Sequence, residues 1–178
     1  MANYYYFVSS LPMLMPYCEP YTDSATFAES CEQWLSDADL KVITTISLNP
    51  VADAELPVDS VAAKWFSWEI NLRNRIAKLR ANKQGREVSG MLLEEKDSFG
   101  EVDRIAQDIA STKDPLEAEK LLDDLRWSKL DDLEACHPFD LDKLCVYKLK
   151  LELCEKWLGR EEEKGRDAFN KVIDAVYA

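Results

Sequence analysis

Apolar residues recur along most of this chain at spacings of three and four, the period of a helix with one buried face. Trp65, Trp68, Leu72, Ile76 and Leu79 form the longest such stripe, and they predict a helix from about Ser60 to Asn82. Phe27, Cys31, Trp34 and Leu35 predict an earlier one, from about Ser24 to Leu35. Ser36 then offers an N-cap. Asp39, three residues on, stands where a capping box has Glu or Gln. Leu40, Ile43 and Ile46 mark the inward face of that helix, with Pro50 as its stop. Residues 49–59, rich in proline and acid, read as a loop.

The second half follows the same period. Gly85, Gly90 and Gly100 punctuate two short helices near 87–96 and 101–112, the latter turning Val102, Ile105 and Ile109 inward. Asp114-Pro115 is an N-cap followed by proline at the first helical position. It opens a helix to about Cys136 that buries Leu122, Leu125 and Leu133, and His137-Pro138 breaks it. Asp140 caps a helix over 141–158 with Leu144, Tyr147, Leu151 and Leu158 inward, and Gly159 suits its C-terminal end. A last helix near 164–177 is expected to bury Phe169, Val172, Ile173 and Val176. Only Tyr4 to Val8 break the pattern. These aromatic, β-prone residues, stopped by Pro12 and Pro16, predict a short extended segment laid on a helical body.

The fold class is therefore all-α, an irregular bundle of about seven or eight helices in a single domain over 1–178. The helices at 60–82 and 141–158 are candidates for two related units, with lobes at 1–84 and 85–178. With only 5 Gly and 7 Pro the chain lacks the turns of an all-β protein, and at 47% apolar residues it has ample material for a core.

Charge narrows the partners. Asp and Glu number 34 against 22 Lys and Arg, for a net charge of −12. Such a surface repels phosphate backbones and anionic lipid, so neither nucleic acid nor direct membrane insertion is expected. No apolar run reaches the roughly 18 residues of a bilayer span. The first basic residue is Lys41, so the start lacks a secretory or transit pattern. A cytoplasmic protein is expected, peripheral on the membrane where a partner holds it there.

Little in the sequence asks for catalysis, a metal or a cofactor. The five cysteines, Cys18, Cys31, Cys136, Cys145 and Cys154, form no C-x-x-C pair and read as buried reduced thiols. His137 is the single imidazole, and beside a proline in an interhelical turn it reads as a structural hydrogen-bonder. Acidic pairs such as Asp123-Asp124 and Asp131-Asp132 suit helix surfaces and starts, and no calcium-loop, P-loop or nucleophile-elbow string occurs.

One segment departs from the acidic background. Arg73, Arg75, Lys78, Arg80, Lys83 and Arg86 fall between Asn71 and Arg86 with no acid among them. They read either as cations snorkelling over the core and pairing with neighbours such as Glu69, or as a docking strip for an acidic partner.

The opening YYYFVSSLP, the segment CEQWLSDADLKVI and the helix WEINLRNRIAKLRANKQG together resemble an uncharacterised bacterial family whose genes lie beside those of V-type (archaeal-type) ATPase subunits. The stretch from DPLEAEKLL to LELCEKW continues the resemblance, which thus covers most of the chain. EINLRNRIAKLR is also similar to helices of the ATPase's socket component, known as C in archaea and d in eukaryotes. There an acidic residue is followed by Asn and later by Leu-Arg; here Glu69, Asn74, Leu79 and Arg80 hold those places. The resemblance implies a non-enzymatic accessory or C/d-like component of a V-type ATPase, binding central-stalk or membrane-ring subunits. The socket component is built of repeated helical units and is much longer, so this chain supplies at most part of such a socket. Arg73, Arg75 and Arg80 are the candidate partner contacts. The alternative is a generic helical interaction module unrelated to the ATPase. A hydrolase built on Cys136 or His137 would lack the partner residues its nucleophile needs.

Overall fold

The computed structural model describes residues 3–51, 54–88, 90, 92–158, 160 and 162–177. Eight α-helices and no strand are found among them: α1 Tyr5–Ser10, α2 Ser24–Trp34, α3 Asp37–Thr45, α4 Val61–Gln84, α5 Gly100–Ser111, α6 Pro115–Glu134, α7 Leu141–Leu158 and α8 Glu162–Tyr177. The protein is an all-α bundle. Several helix starts carry side-chain caps, at Ser36, Asp114 and Asp140 as the sequence predicts and at Ser60 besides. Ser36 Oγ accepts from Asp39 N at 3.3 Å, Ser60 Oγ from Ala63 N at 3.1 Å, and Asp114 from Leu116 N at 2.8 Å with Pro115 at the first helical position. Asp140 Oδ1 likewise accepts from Lys143 N at 3.1 Å. Gly85 ends α4 in the left-handed region at φ 64°, and Arg86 N bonds back to Ala81 O at 3.0 Å. Glycine alone takes that conformation without strain.

Helix α7 is the axis of the bundle and touches α2, α3, α4 and α6. Leu144, Cys145, Val146, Leu149 and Leu151 on it are wholly buried. One row of its charged side chains fastens the ends of earlier helices. Lys148 Nζ donates to Ile43 O and Ile46 O, both at 2.7 Å, at the negative C-terminus of α3. Glu155 accepts from Ser24 N at 2.6 Å, at the positive N-terminus of α2, and Glu152 accepts from Leu48 N at 2.9 Å. Against this axis lies α4, with Trp65, Trp68 and Leu72 fully buried as their stripe predicts. The apolar cluster takes in residues from Phe7 to Leu153, on both sides of the 84/85 division.

Four expectations need correction. Tyr4 to Val8 are not extended, since Tyr5–Ser10 are helical. Phe7 is buried with its ring against those of Phe27 and Trp34, each 6.1 Å away, and the Tyr4 hydroxyl donates to Asp39. Docking overrides local β-propensity there. Helix α3 stops at Thr45, well before Pro50, where Ile46 turns extended and drops into the core. Leu158 is exposed, as are Phe169 and Val172 at 63% each, so α8 does not bury the face its period suggested. Gly159 and the side chain of Val176 lie outside the described residues.

The fourth correction has the clearest cause. No α-helix forms over 87–96 among the described residues. Two asparagines of α4 hold the backbone of this segment instead. Asn74 Nδ2 donates to Leu93 O at 2.7 Å while its Oδ1 accepts from Leu93 N at 3.2 Å, and Asn71 Nδ2 donates to Asp97 O at 2.8 Å. Those bonds replace the ones a helix would make. Asn74→Ala should therefore cost about 1–3 kcal/mol, because it strands both polar groups of Leu93. Urea unfolding measures the loss, and the Leu93 amide should exchange with solvent faster; an unchanged midpoint and exchange rate would count against the clamp.

Candidate functional site: a cationic cleft between α4, α6 and α7

Arg73 and Arg80 lie one above the other on α4, a helix repeat apart. The face they share with Ile76 and Ala77 forms one wall of a cleft of about 400 Å³. Helix α6 contributes Glu119, Leu122 and Arg126 to the other walls, and α7 contributes Lys156. Beneath the cleft is a buried ionic network. Glu69 is 0% exposed and Arg126 is 5% exposed. The Arg126 guanidinium grips both Glu69 oxygens, through Nε to Oε2 at 3.1 Å and through Nη2 to Oε1, while its Nη1 donates to Asp123 Oδ1 at 2.9 Å. Asp123 in turn accepts from Lys156 Nζ at 2.7 Å and from Trp157 Nε1 at 2.9 Å. Lys156 also lies 2.5 Å from Glu119.

Burial works against the charge on Arg126, and Glu69 and Asp123 outweigh it, so the guanidinium is held more firmly charged than usual. Burial likewise pushes the Glu119 carboxyl up, and Lys156, Arg160 and Arg126 overcome it and hold it below its ordinary value. Four cations therefore border the cleft, and three of them are engaged. Arg73 donates to Glu69 Oε1 at 2.6 Å, Leu48 O at 2.7 Å and Asn49 Oδ1 at 2.9 Å. Arg126 and Lys156 serve the carboxylates behind them. Arg80 is exposed and has no ion pair among the described residues. It is the charge left over.

The three arginines singled out by sequence are thus divided. Arg73 and Arg80 share the cleft. Arg75 points elsewhere, to Asp103 Oδ1 on α5 at 3.0 Å. Lys78, on the same strip, pairs with Glu95 at 3.2 Å. Pairing with acidic neighbours accounts for Arg73, Arg75 and Lys78; Arg80 alone of the three candidates stays available. Of the other matched motif positions, Glu69 anchors Arg126 and Asn74 clamps Leu93, so both have internal duties.

Arg126 and Lys156 are not marked out by any run of cations. A signal for Arg126 existed all the same: it lies four residues after Leu122 and four before Leu130, both buried, so a cation occupies an inward position. Glu69 breaks the α4 stripe in the same way. Two opposite charges at inward positions on two helices announce a buried pair. The cysteines also divide: Cys31, Cys145 and Cys154 are buried, whereas Cys18 and Cys136 are exposed. All five are free thiols, and burial pushes the Cys31 and Cys154 thiols up to about 12 and about 11. His137 Nδ1 lies 2.7 Å from Asp140 Oδ2, next to the cap of α7.

An all-α bundle with a charged cleft on one face is the class of protein that the structure defines. Residues 94–178, from the approach to α5 through α8, match the family model described as Protein of unknown function (DUF2764). No curated protein and no solved structure matches the chain.

Removing one member of the buried pair should be far worse than removing both. Glu69→Ala should cost about 3–5 kcal/mol by leaving Arg126 underpaired, and the double variant Glu69→Leu with Arg126→Met should be the more stable of the two. Asp123 keeps Lys156 and Trp157 in either case. Denaturant unfolding decides it; additive losses would refute a buried couple.

Glu119 gives a pH signature. Its folded-state pKa is depressed, so its contribution is present above the unfolded carboxyl range and lost as pH falls through the folded value. The stability gap between wild type and Glu119→Gln should be full at neutral pH and close below about pH 4. A gap that does not change with pH would remove the ionic role.

Proposed function

We propose that this chain is a non-enzymatic accessory or C/d-like component of a V-type ATPase, gripping a central-stalk or membrane-ring subunit through the cleft between α4, α6 and α7. The observation that carries the reading is Arg80, an exposed cation without an ion pair among the described residues, on the rim of a basic cleft in a protein of net charge −12. The resemblance of the α4 segment to helices of the ATPase socket component, whose Leu-Arg corresponds to Leu79 and Arg80, supports the ATPase as the source of the partner. A carboxylate on the partner would meet Arg80 at the mouth and the shared charge of Arg73 and Lys156 further in. The rest of the bundle then acts as a rigid mount. Lys148 and Glu155 pin the ends of α3 and α2 to α7, and Glu152 holds the backbone at Leu48.

No helix among the described residues is long and apolar enough to cross a membrane. On this proposal any membrane attachment runs through the partner.

Arg80→Glu is the informative variant, because it reverses the free charge and breaks no internal ion pair among the described residues. Tagged protein added to solubilised native membranes should retain V-type ATPase subunits, and Arg80→Glu should retain about tenfold less at unchanged helical content. Arg75→Glu, which alters a pair with Asp103 and the field at Glu95, both away from the cleft, should retain them as wild type does. Absence of ATPase subunits from the wild-type eluate sinks the assignment. Equal retention by Arg80→Glu sinks the cleft.

A further inference from the structure

Away from the cleft, the turn between α6 and α7 gathers three donor atoms at one point. His137 Nδ1 lies 2.7 Å from Asp140 Oδ2 and 3.6 Å from Asp142 Oδ2, and the three side chains bring one ligand atom each within 4.8 Å of the others. Each carboxylate is anchored through its other oxygen to a backbone amide. Asp140 Oδ1 accepts from Lys143 N at 3.1 Å, and Asp142 Oδ1 accepts from Val61 N, at the start of α4, at 3.0 Å. These amides orient the two carboxylates and leave both Oδ2 atoms turned toward the same ring nitrogen. Backbone and side-chain bonds orient metal ligands in the same manner. The three side chains are largely withdrawn from solvent, at 23%, 21% and 18% exposed.

A hydrogen bond alone accounts for only part of this arrangement. One N–H at Nδ1 can serve one oxygen, and Asp140 takes it. Asp142 Oδ2 at 3.6 Å is beyond hydrogen-bond reach of the ring. Two carboxylates converging in a half-buried turn repel one another, more strongly as water is withdrawn. The N-terminus of α7 offsets some of that repulsion. Lys143, the nearest cation in sequence, directs its ammonium to Glu134 instead.

We infer that His137, Asp140 and Asp142 form a binding site for a divalent transition-metal cation, with zinc the best match to one imidazole nitrogen and two carboxylate oxygens. The neutral ring presents its Nδ1 lone pair, with the proton on Nε2, and the two carboxylates cancel the ionic charge. Tetrahedral zinc with bonds of about 2.0–2.2 Å holds its ligands roughly 3.3 Å apart. The observed separations of 2.7 and 3.6 Å between the ring nitrogen and the two carboxylate oxygens lie on either side of that value. The bound ion ties the α6–α7 turn to the first turn of α7 and, through Asp142, to the start of α4. Its role is structural, and it stabilises the fold by mass action.

Calorimetric titration of chelator-treated full-length protein with Zn²⁺ tests this, with thermal unfolding in parallel. Wild type should bind one equivalent and melt at a higher temperature. His137→Gln and Asp142→Asn should each weaken binding by at least about tenfold. Asp142→Asn keeps an oxygen for Val61 N, and His137→Gln leaves both backbone anchors in place, so at least one variant remains folded for the comparison. Cys136→Ser, which removes the exposed neighbouring thiol, should bind as wild type. No uptake by wild type, equal uptake by both ligand variants, or loss confined to Cys136→Ser would each overturn the site.

Discussion

The pairing of Glu69 with Arg126 is the constraint on which the rest of this bundle depends. A carboxylate with no exposed surface sits midway along the longest helix, among tryptophans, and an ion in such a place is tolerated only when its partner is fixed in register. That requirement aligns α6 along α4. Asp123 then positions Lys156 and Trp157, which aligns α7 along α6. Apolar contact between helices permits sliding by a turn at modest cost; a buried couple with a bidentate geometry does not. The same pair sets the floor of the cationic cleft. Packing register and surface charge therefore have a common origin.

Much of this fold was legible in the sequence, and the reasons differ by element. The caps at Ser36, Asp114 and Asp140 are local chemistry, decided within four residues, and they read correctly. The α4 stripe read correctly because a long, regular period leaves little ambiguity. Segment 87–96 did not, because what decides it is the side chains of Asn71 and Asn74, about twenty residues upstream. Likewise the helical state of Tyr5–Ser10 depends on Phe27, Trp34 and Asp39. Periodicity misled at α8, since it reports an apolar face and not whether anything covers that face.

The site was half legible. A run of cations without acids is visible in one dimension, but which cations are already engaged is a three-dimensional fact. Asp103 and Glu95 reach Arg75 and Lys78 from other segments, and Glu69 holds Arg73 from one turn away. What survives this cancellation at the cleft is the guanidinium of Arg80; Arg86, at the end of the run, also has no ion pair among the described residues. The convergence of His137 with Asp140 and Asp142 shows the opposite case. Each aspartate had a sufficient local explanation at the start of a helix, and that explanation concealed their common focus.

The centrality of α7 has a consequence for synthesis. This helix contacts four others and follows all of them in sequence, so α2, α3, α4 and α6 leave the ribosome before their faces toward α7 can be closed. Until then the side chains that pack on α7, such as Phe27 with its ring 5.2 Å from that of Tyr147, lack that part of their cover. Emergence of Leu144 to Leu153 supplies the buried axis on which those faces close.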